Sequence, residues 1–499
     1  MTETLALLGT GFLNAFSLEA ILAMALGVVL GSIFGAMPGL SATTGMALML
    51  PICFKLDVTV GLLMLAGIYC GALYGGSISA ILLGIPGTAA ALPTTFDGYP
   101  LTRKGHAHRA LLAGLYGSAI GGIFSAIVLM FLTPSIAAVA IEFGAPEMFA
   151  LGIWGISMTT SVTGGDPIKG MFMAVLGLLV GMVGAAPATG QFRFTFGSMY
   201  MISGFALVPL LLGCLALPGV FSMIESFGHN TAFFAEDKER KFFFKPMEVL
   251  RHIKTIVRSA VVGCLVGIAP AAGPTIAAMV CYNMAKSDSD HPETYGEGEE
   301  DGVWASETAN NAATGGSLVF ALALGIPGSA AASVLMSALI MRGIQPGPNL
   351  LTNSGELVYT FFAGFLIVNI LVWIFGHFFV QAGSKIIKTP LKLLAPAIIV
   401  LCVIGSYSNS NNMFGVYCMF AVCVVSYFLS AMKFPMSPFL LALILSSIIE
   451  SNFWTAYSMT FGNLLRMLER PQFILLMVIA LLTFCFPLLK KVVPKRKQQ

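Results

Sequence analysis

Apolar blocks follow one another along the chain from about residue 18 to residue 489, and many reach the roughly 20 residues that an α-helix needs to cross a bilayer. Polar stretches between them are short. The pattern predicts an all-α polytopic membrane protein of about 10–14 membrane segments. Two blocks depart from plain spans in the same way. Residues 75–92 read GGSISAILLGIPGTAAAL and residues 315–332 read GGSLVFALALGIPGSAAA. Each puts a Gly-Pro break inside a hydrophobic segment. Such breaks at matching places in two halves of a chain point to a transporter's binding site, and here they predict broken or re-entrant helical hairpins.

Anchored on the two GIPG motifs, the halves align with an offset of about 240 residues. Upstream, GSIFGAMPGLSATTG (31–45) parallels VGIAPAAGPTIAA (266–278); downstream, residues 107–132 parallel 356–380. Residues 1–226 therefore form repeat 1 (core about 15–200) plus one extra span, and 227–254 a basic cytoplasmic linker. Residues 255–450 form repeat 2, and 451–499 a terminal span with a basic tail.

Charge then decides the relative direction of the repeats, because Lys and Arg favour cytoplasmic loops. The loop TRKGHAHRA (102–110) is basic, and its partner RGIQPGPNLLTNSGE (342–356) has one Arg. The next loop, TPSIAAVAIEFGAPE (133–147), has no base, whereas its partner GSKIIKTPLK (383–392) carries Lys385, Lys388 and Lys392. The entry to repeat 1 has no base; the entry to repeat 2 carries Lys238, Arg240, Lys241, Lys245, Arg251, Lys254 and Arg258. The basic side alternates at each comparison, as inverted repeats require. The N-terminus is then periplasmic and the C-terminal KKVVPKRKQQ cytoplasmic. The acidic segment 287–302 has no counterpart in repeat 1, and its side stays open.

The repeated segments suggest an anion site. In MPGLSATTGMALMLP (37–51) and APAAGPTIAAMVCYNM (269–284), Pro precedes small hydroxyl residues and then an apolar run. That is the pattern of a half-helix whose free N–H groups and dipole attract anions. The candidate substrate-binding residues are Pro38, Gly39, Ser41, Thr43 and Thr44 in repeat 1, and Gly273, Pro274 and Thr275 in repeat 2. In the GIPG turns they are Gly84, Pro86, Gly87 and Thr88, with Gly325, Pro327, Gly328 and Ser329 matching them. The alternative is that these Pro and Gly residues only kink ordinary spans or permit tight helix crossings. WASETANNAATGGS (304–317) adds Glu307, Asn310 and Asn311. An ionisable residue near a span is a functional candidate. Glu307 and Asn310 are candidates for coupling to Na⁺ or H⁺, and Asn310 and Asn311 also for a substrate carboxylate; an interfacial capping role for Glu307 stays open. Asp97 and Asp166 read as turn residues, His106 and His108 as solvated, and Glu142, Glu147 and Glu450 as interfacial.

Composition narrows the function. Only 10% of the 499 residues are charged, against roughly a quarter in globular domains. There is no GxxxxGK[ST] loop for an ATP-driven pump, no His-rich metal cluster and no pair of membrane-core carboxylates for an intramembrane enzyme. The nine cysteines are scattered and read as small buried hydrophobes. No metal, cofactor or nucleic-acid signature is present, and MTETLALLGTGF lacks the basic region of a cleaved signal peptide.

Nearly the whole chain resembles the large membrane subunit of the tripartite tricarboxylate transporters, the TctA family. The resemblance rests on GAMPGLSATTGMALMLP, YGGSISAILLGIPGTAAALPTTFDGYPL, SETANNAATGGS and ALALGIPGSAAASVLM. It implies a secondary transporter of the bacterial inner membrane that imports a small carboxylate, such as citrate or another tri- or dicarboxylate, often with Na⁺. It implies two partners, a small four-span membrane subunit (TctB-like) and a periplasmic solute-binding protein (TctC-like). A stand-alone ion-coupled carrier or an anion channel is the alternative. Paired hairpins in inverted repeats suggest alternating access by an elevator-like motion.

Overall fold

The computed structural model describes residues 2–37, 40–162, 167–225, 243–270, 272–386, 391–410 and 412–492. Helices start and stop where the local chemistry directs. Ser17 accepts from the Ala20 N–H and Asp57 from the Thr59 N–H, capping the helices that follow. Gly84 and Gly325 end the two helices leading into the GIPG turns by adopting φ of +70° and +74°, conformations that glycine reaches without steric cost.

The first half contains α1 (Thr2–Ala15), α2 (Leu18–Ala36), α3 (Ala42–Cys53), α4 (Val58–Leu83), α5 (Leu92–Arg103), α6 (Ala107–Ala140), α7 (Ala145–Val162) and α8 (Pro167–Gly181). A small two-stranded hairpin, Gly184–Ala185 with Phe192–Arg193, follows. Then α9 (Leu207–Leu211) and α10 (Leu217–Glu225) are joined through one π-helical turn. The second half contains α11 (Pro246–Arg251), α12 (Ile253–Ile268), α13 (Gly273–Ser287), α14 (Glu300–Leu324), α15 (Ala330–Met341), α16 (Leu350–Asn353) and α17 (Gly355–Ile386). It ends with α18 (Leu391–Ser410), α19 (Met413–Ala431), α20 (Met436–Met459) and α21 (Pro471–Val492). Among the described residues six helices are long and apolar enough to cross a membrane: α2, α4, α6, the 355–381 part of α17, α19 and α20. Exposed Leu265, Phe378 and Phe428 lie on the outer surface, as expected where lipid covers it.

Glycine seams reveal the symmetry. Side-chain atoms on Gly27, Gly31 and Gly35 of α2 would strike the backbone of Met64, Ile68 and Ala72 on α4, so these helices pack in parallel. Gly263 and Gly267 of α12 meet Ala309 and Ala313 of α14 in the same manner. Because each pair is parallel, the helix between its members must run back. Arg258 near the start of α12 indeed pairs with Asp288 just beyond α13, so that helical hairpin enters and leaves at one end of the bundle.

The central helices fix the relation between halves. Gly122 of α6 abuts Asn369 of α17, and Leu115 abuts Gly376. Position rises along one helix as it falls along the other, so α6 and α17 are antiparallel. Each runs parallel to the long helix of the opposite half: Gly117 and Gly121 of α6 lie on Thr308, and Gly364 of α17 lies on Leu63 of α4, with Tyr74 Oη donating to the Gly376 carbonyl at 3.0 Å. Equivalent helices thus point in opposite directions, and the halves are inverted structural repeats. At the periphery, α20 packs on α7 and α8 as α9 and α10 pack on α18 and α19.

The acidic 287–302 segment takes its side from contacts. Glu300 pairs with Arg109 at 2.6 Å, and Lys104 Nζ donates to the Glu297 carbonyl at 2.5 Å, so acidic and basic loops share one end. Two residues read as polar surface are buried instead. His108 is packed into the first turn of α6, and Asp97 lies on α5 with no exposed area. Glu147 is also fully buried and receives Arg470 Nη1 at 2.8 Å. Asp166 and residues 227–242 of the linker lie outside the described residues.

The α2–α4 seam carries a stability prediction. An added Cβ at Gly71 would sit 2.5 Å from the Val28 carbonyl oxygen, whereas one at Gly9 would point into open space. Gly71→Leu should cost about 1–3 kcal/mol or more through overpacking. Gly9→Ala should leave stability unchanged or slightly raised. Thermal unfolding of the detergent-solubilised variants checks both.

Candidate functional site

Each GIPG turn folds its chain back along the helix it has just left. The Gly87 N–H donates to the Gly76 carbonyl at 3.3 Å, and the Gly328 N–H donates to the Ser317 carbonyl at 3.0 Å. Both turns need glycine there: a Cβ on Gly87 would strike the Gly35 carbonyl at the end of α2, and one on Gly328 would strike the Gly267 carbonyl at the end of α12. This close approach brings the start of each returning helix to the place where the preceding helical hairpin turns.

The result is one cavity of about 450 Å³ between the repeats. From the first half it is lined by Ser41 and Thr43 at the start of α3 and by Thr88 and Ala89 leading into α5. From the second half it is lined by Gly273 and Thr275 at the start of α13 and by Ser329 and Ala330 at the start of α15. Four helix starts that belong to the matched segments therefore face the same space, two from each repeat, and the start of α20 (Met436–Met459) joins them at one side. Each brings roughly half a positive charge. Among the described lining residues there is no ionisable acid or base apart from the Tyr69 phenol; the polar side chains are hydroxyls.

The four ends are not equivalent. Ser41 accepts from the Thr44 N–H at 3.1 Å, and Ser329 accepts from the Ala332 N–H at 3.1 Å, so α3 and α15 carry their own caps. Tyr69 of α4 reaches across to place its hydroxyl 3.0 Å from Ser329 and 3.1 Å from Ser317. The other two ends are open. Thr88 makes no capping bond and its buried Oγ1 has no hydrogen-bond partner, while Ala272, at the cap position of α13, has no side-chain oxygen to offer.

Of the residues singled out in the sequence, Ser41, Thr43, Thr88, Gly273, Pro274, Thr275, Pro327 and Ser329 line this cavity. Gly84, Pro86, Gly87, Gly325 and Gly328 shape its two turns without lining it, and Thr44 is turned to the Leu215 carbonyl. Pro38 and Gly39 lie outside the described residues. Sequence reasoning missed Tyr69, a phenol within an apolar run that carries no motif. It also missed the start of α20, where Pro435, Met436 and Ser437 close one side. There a signal was present: FPMSP (434–438) has the same proline-and-hydroxyl opening as the half-helices.

Glu307, Asn310 and Asn311 are not among the cavity's lining residues. They sit on α14 where it meets α5 and α6, all buried. Glu307 Oε1 accepts from Thr94 Oγ1 at 2.5 Å; Oε2 accepts from Ser118 Oγ at 3.1 Å and Asn310 Nδ2 at 3.2 Å. None of these donors carries a charge. The buried Oδ1 of Asn311 and the Thr308 hydroxyl on α14, and the Oδ1 of Asn369 where α17 meets α6, have no hydrogen-bond partner. The carboxylate thus has three neutral hydrogen-bond donors and no ionic partner among the described residues.

The profile of the tripartite tricarboxylate transporter TctA family matches residues 21–441. The 52.8 kDa protein of the TAR-I ttuC' 3' region of Agrobacterium vitis is 32% identical over 496 residues, covering 99% of this chain and 98% of that protein. A protein of the TAR-II ttuC' 3' region of the same organism is 30% identical over 236 residues, covering 47% of this chain and 98% of its own length. No solved structure matches the chain. With inverted repeats, paired GIPG turns and a family match that spans most of its length, the chain belongs to the tripartite tricarboxylate transporter TctA family.

Proposed function

We infer that this protein is the membrane carrier of a tripartite system that imports a small di- or tricarboxylate across the bacterial inner membrane by alternating access. The observation that carries this reading is the convergence of four helix N-termini on one cavity lined by hydroxyls. Backbone dipoles supply diffuse positive potential without the fixed charge of a buried Lys or Arg, so they favour a carboxylate yet let it leave. The open ends of α5 and α13 mark where the first carboxylate binds, through the Thr88 and Thr275 hydroxyls and the neighbouring amides.

The Glu307 cluster is the coupling site in this reading. Its uncompensated carboxylate takes up Na⁺ or H⁺, with Asn310 beside it, and the gradient of that ion drives uptake. A periplasmic solute-binding protein delivers substrate and a small four-span subunit completes the membrane complex. The N-terminus is periplasmic and the C-terminus cytoplasmic. The body carrying the cavity moves against the remaining helices in an elevator-like step.

Reconstitution of the complex in liposomes, with labelled citrate as probe and an imposed Na⁺ or pH gradient, tests this directly. Gradient-driven accumulation of unchanged citrate is expected. Downhill flux alone would make the protein a channel, and a chemically altered product would make it an enzyme.

Two substitutions sharpen the reading. Thr88→Val should raise the half-saturating citrate concentration about tenfold to a hundredfold, since a hydrogen bond to a charged group is worth about 1.5–3 kcal/mol. Thr88→Ser should keep most of the affinity, and initial-rate uptake distinguishes them. Glu307→Gln should flatten the dependence of uptake on Na⁺ or pH while leaving the folded complex intact by size-exclusion chromatography. Unchanged cation dependence would remove Glu307 from coupling.

A further inference from the structure

Asp97, midway along α5, and Arg342, at the end of α15, lie about one helical turn apart when the repeats are aligned on their GIPG turns, and each grips a loop of the other repeat. Asp97, on α5, has no exposed area. Its Oδ1 accepts from the N–H groups of Gly296 (2.7 Å), Gly298 (3.0 Å) and Glu299 (2.8 Å), and its Oδ2 accepts from the Tyr282 hydroxyl at 2.9 Å. These amides belong to the loop that joins α13 to α14. Gly296 and Gly298 have φ of +97° and +106°, the left-handed backbone that lets three nearby N–H groups aim at one oxygen. Phe96, beside Asp97, packs edge-on against Tyr282 at 5.3 Å.

Arg342, at the end of α15, answers with the opposite chemistry. Its Nη2 donates to the carbonyls of Cys53 (3.2 Å), Phe54 (2.9 Å) and Leu56 (2.7 Å), and its guanidinium lies 5.3 Å from the centre of the Phe54 ring. These carbonyls end α3 and begin the loop that joins α3 to α4. A carboxylate thus binds amides just before a helix N-terminus, and a guanidinium binds carbonyls at a helix C-terminus. Each sign suits the dipole it meets.

We propose that Asp97 and Arg342 are reciprocal latches that hold each returning helix against the connecting loop of the opposite repeat throughout the transport cycle. The two GIPG hairpins and the half-helices α3 and α13 then travel as one body, and neither hairpin opens as a gate. Swinging α5 away would strand a buried carboxylate and three amides at once; swinging α15 away would strand three carbonyls. Access to the cavity must change elsewhere, between this body and the helices around it. This proposal rests on the carrier reading for its functional meaning, but the latch itself can be measured without any substrate.

Amide hydrogen exchange of the full chain in lipid nanodiscs is the first test. The peptide spanning residues 294–300 should exchange at least about a hundredfold slower than unstructured chain, which corresponds to an open population of at most about 1%. Neither Na⁺ nor citrate should change that rate. Asp97→Ala should accelerate it, and Asp97→Asn, which keeps an acceptor oxygen, should fall between. Exchange of the wild-type peptide at the unstructured rate overturns the latch.

The second test locks the other hairpin. Ala338 of α15 and the native Cys53 line the same narrow cleft beside Arg342. Ala338→Cys, oxidised and with the disulfide verified by mass spectrometry, should retain citrate uptake within about twofold of its reduced form, because the hairpin has no need to open. Uptake lost on oxidation and recovered on reduction would make α15 a gate and overturn the proposal. If the wild-type complex moves no citrate, the carboxylate reading fails, and the exchange measurement still decides the latch.

Discussion

Every peptide group inside an apolar bundle needs a hydrogen-bond partner, and this protein breaks its helices where no ordinary partner is at hand. The Gly84 and Gly325 stops leave the chain to return beside its own helix, held there by bonds such as those from Gly87 to Gly76 and from Gly328 to Ser317. The returning helices then begin with amides that the backbone cannot satisfy. Ser41 and Ser329 answer two of the four ends from within the chain. At α5 and α13 no side chain does so. Unanswered donors around a hydroxyl-lined space favour an anion, and the cavity's chemistry follows from that constraint.

Inversion turns this local rule into a site. One broken hairpin would present one dipole; two inverted copies oppose two pairs of N-termini across a shared space. The copies are also unequal at informative positions. Tyr69 and Asn310 stand equally far before their GIPG turns, yet one crosses to the opposite repeat to hold Ser329 while the other holds Glu307. Asp97 and Arg342 perform matching tasks with opposite charge. The backbone keeps the symmetry required for the bundle to pack, and the side chains break it where the two ends of the bundle must differ.

Much of this was legible in the sequence because its signals are local. GIPG, the proline-and-hydroxyl helix starts and the alternating basic loops each depend on a few adjacent residues, and together they point to inverted repeats and to eight of the 22 residues that line the cavity. What escaped depends on contacts across hundreds of positions. Asp97 reads as turn chemistry in TFDGYP, and nothing near it announces the loop at 296–299 that buries it. Tyr69 sits in an apolar run, and its partners Ser317 and Ser329 belong to the other repeat. Thr94 and Ser118 are ordinary hydroxyls until α5 and α6 bring them onto Glu307.

Placing Glu307 beside the cavity's walls rather than in its lining has a physical consequence. Thr88 lines the cavity where the chain enters α5, and Thr94, in the first turns of that helix, donates to Glu307. One short stretch of chain, residues 88–94, therefore touches both the cavity and the buried carboxylate. A deprotonated, empty Glu307 would leave an uncompensated charge against α5 and α6, whereas a proton or cation there lets the three helices pack around a neutral group. Under the proposed coupling, a bound ion would stabilise the arrangement in which Thr88 faces the cavity, and it would do so without touching the substrate, because both would favour the same position of one segment.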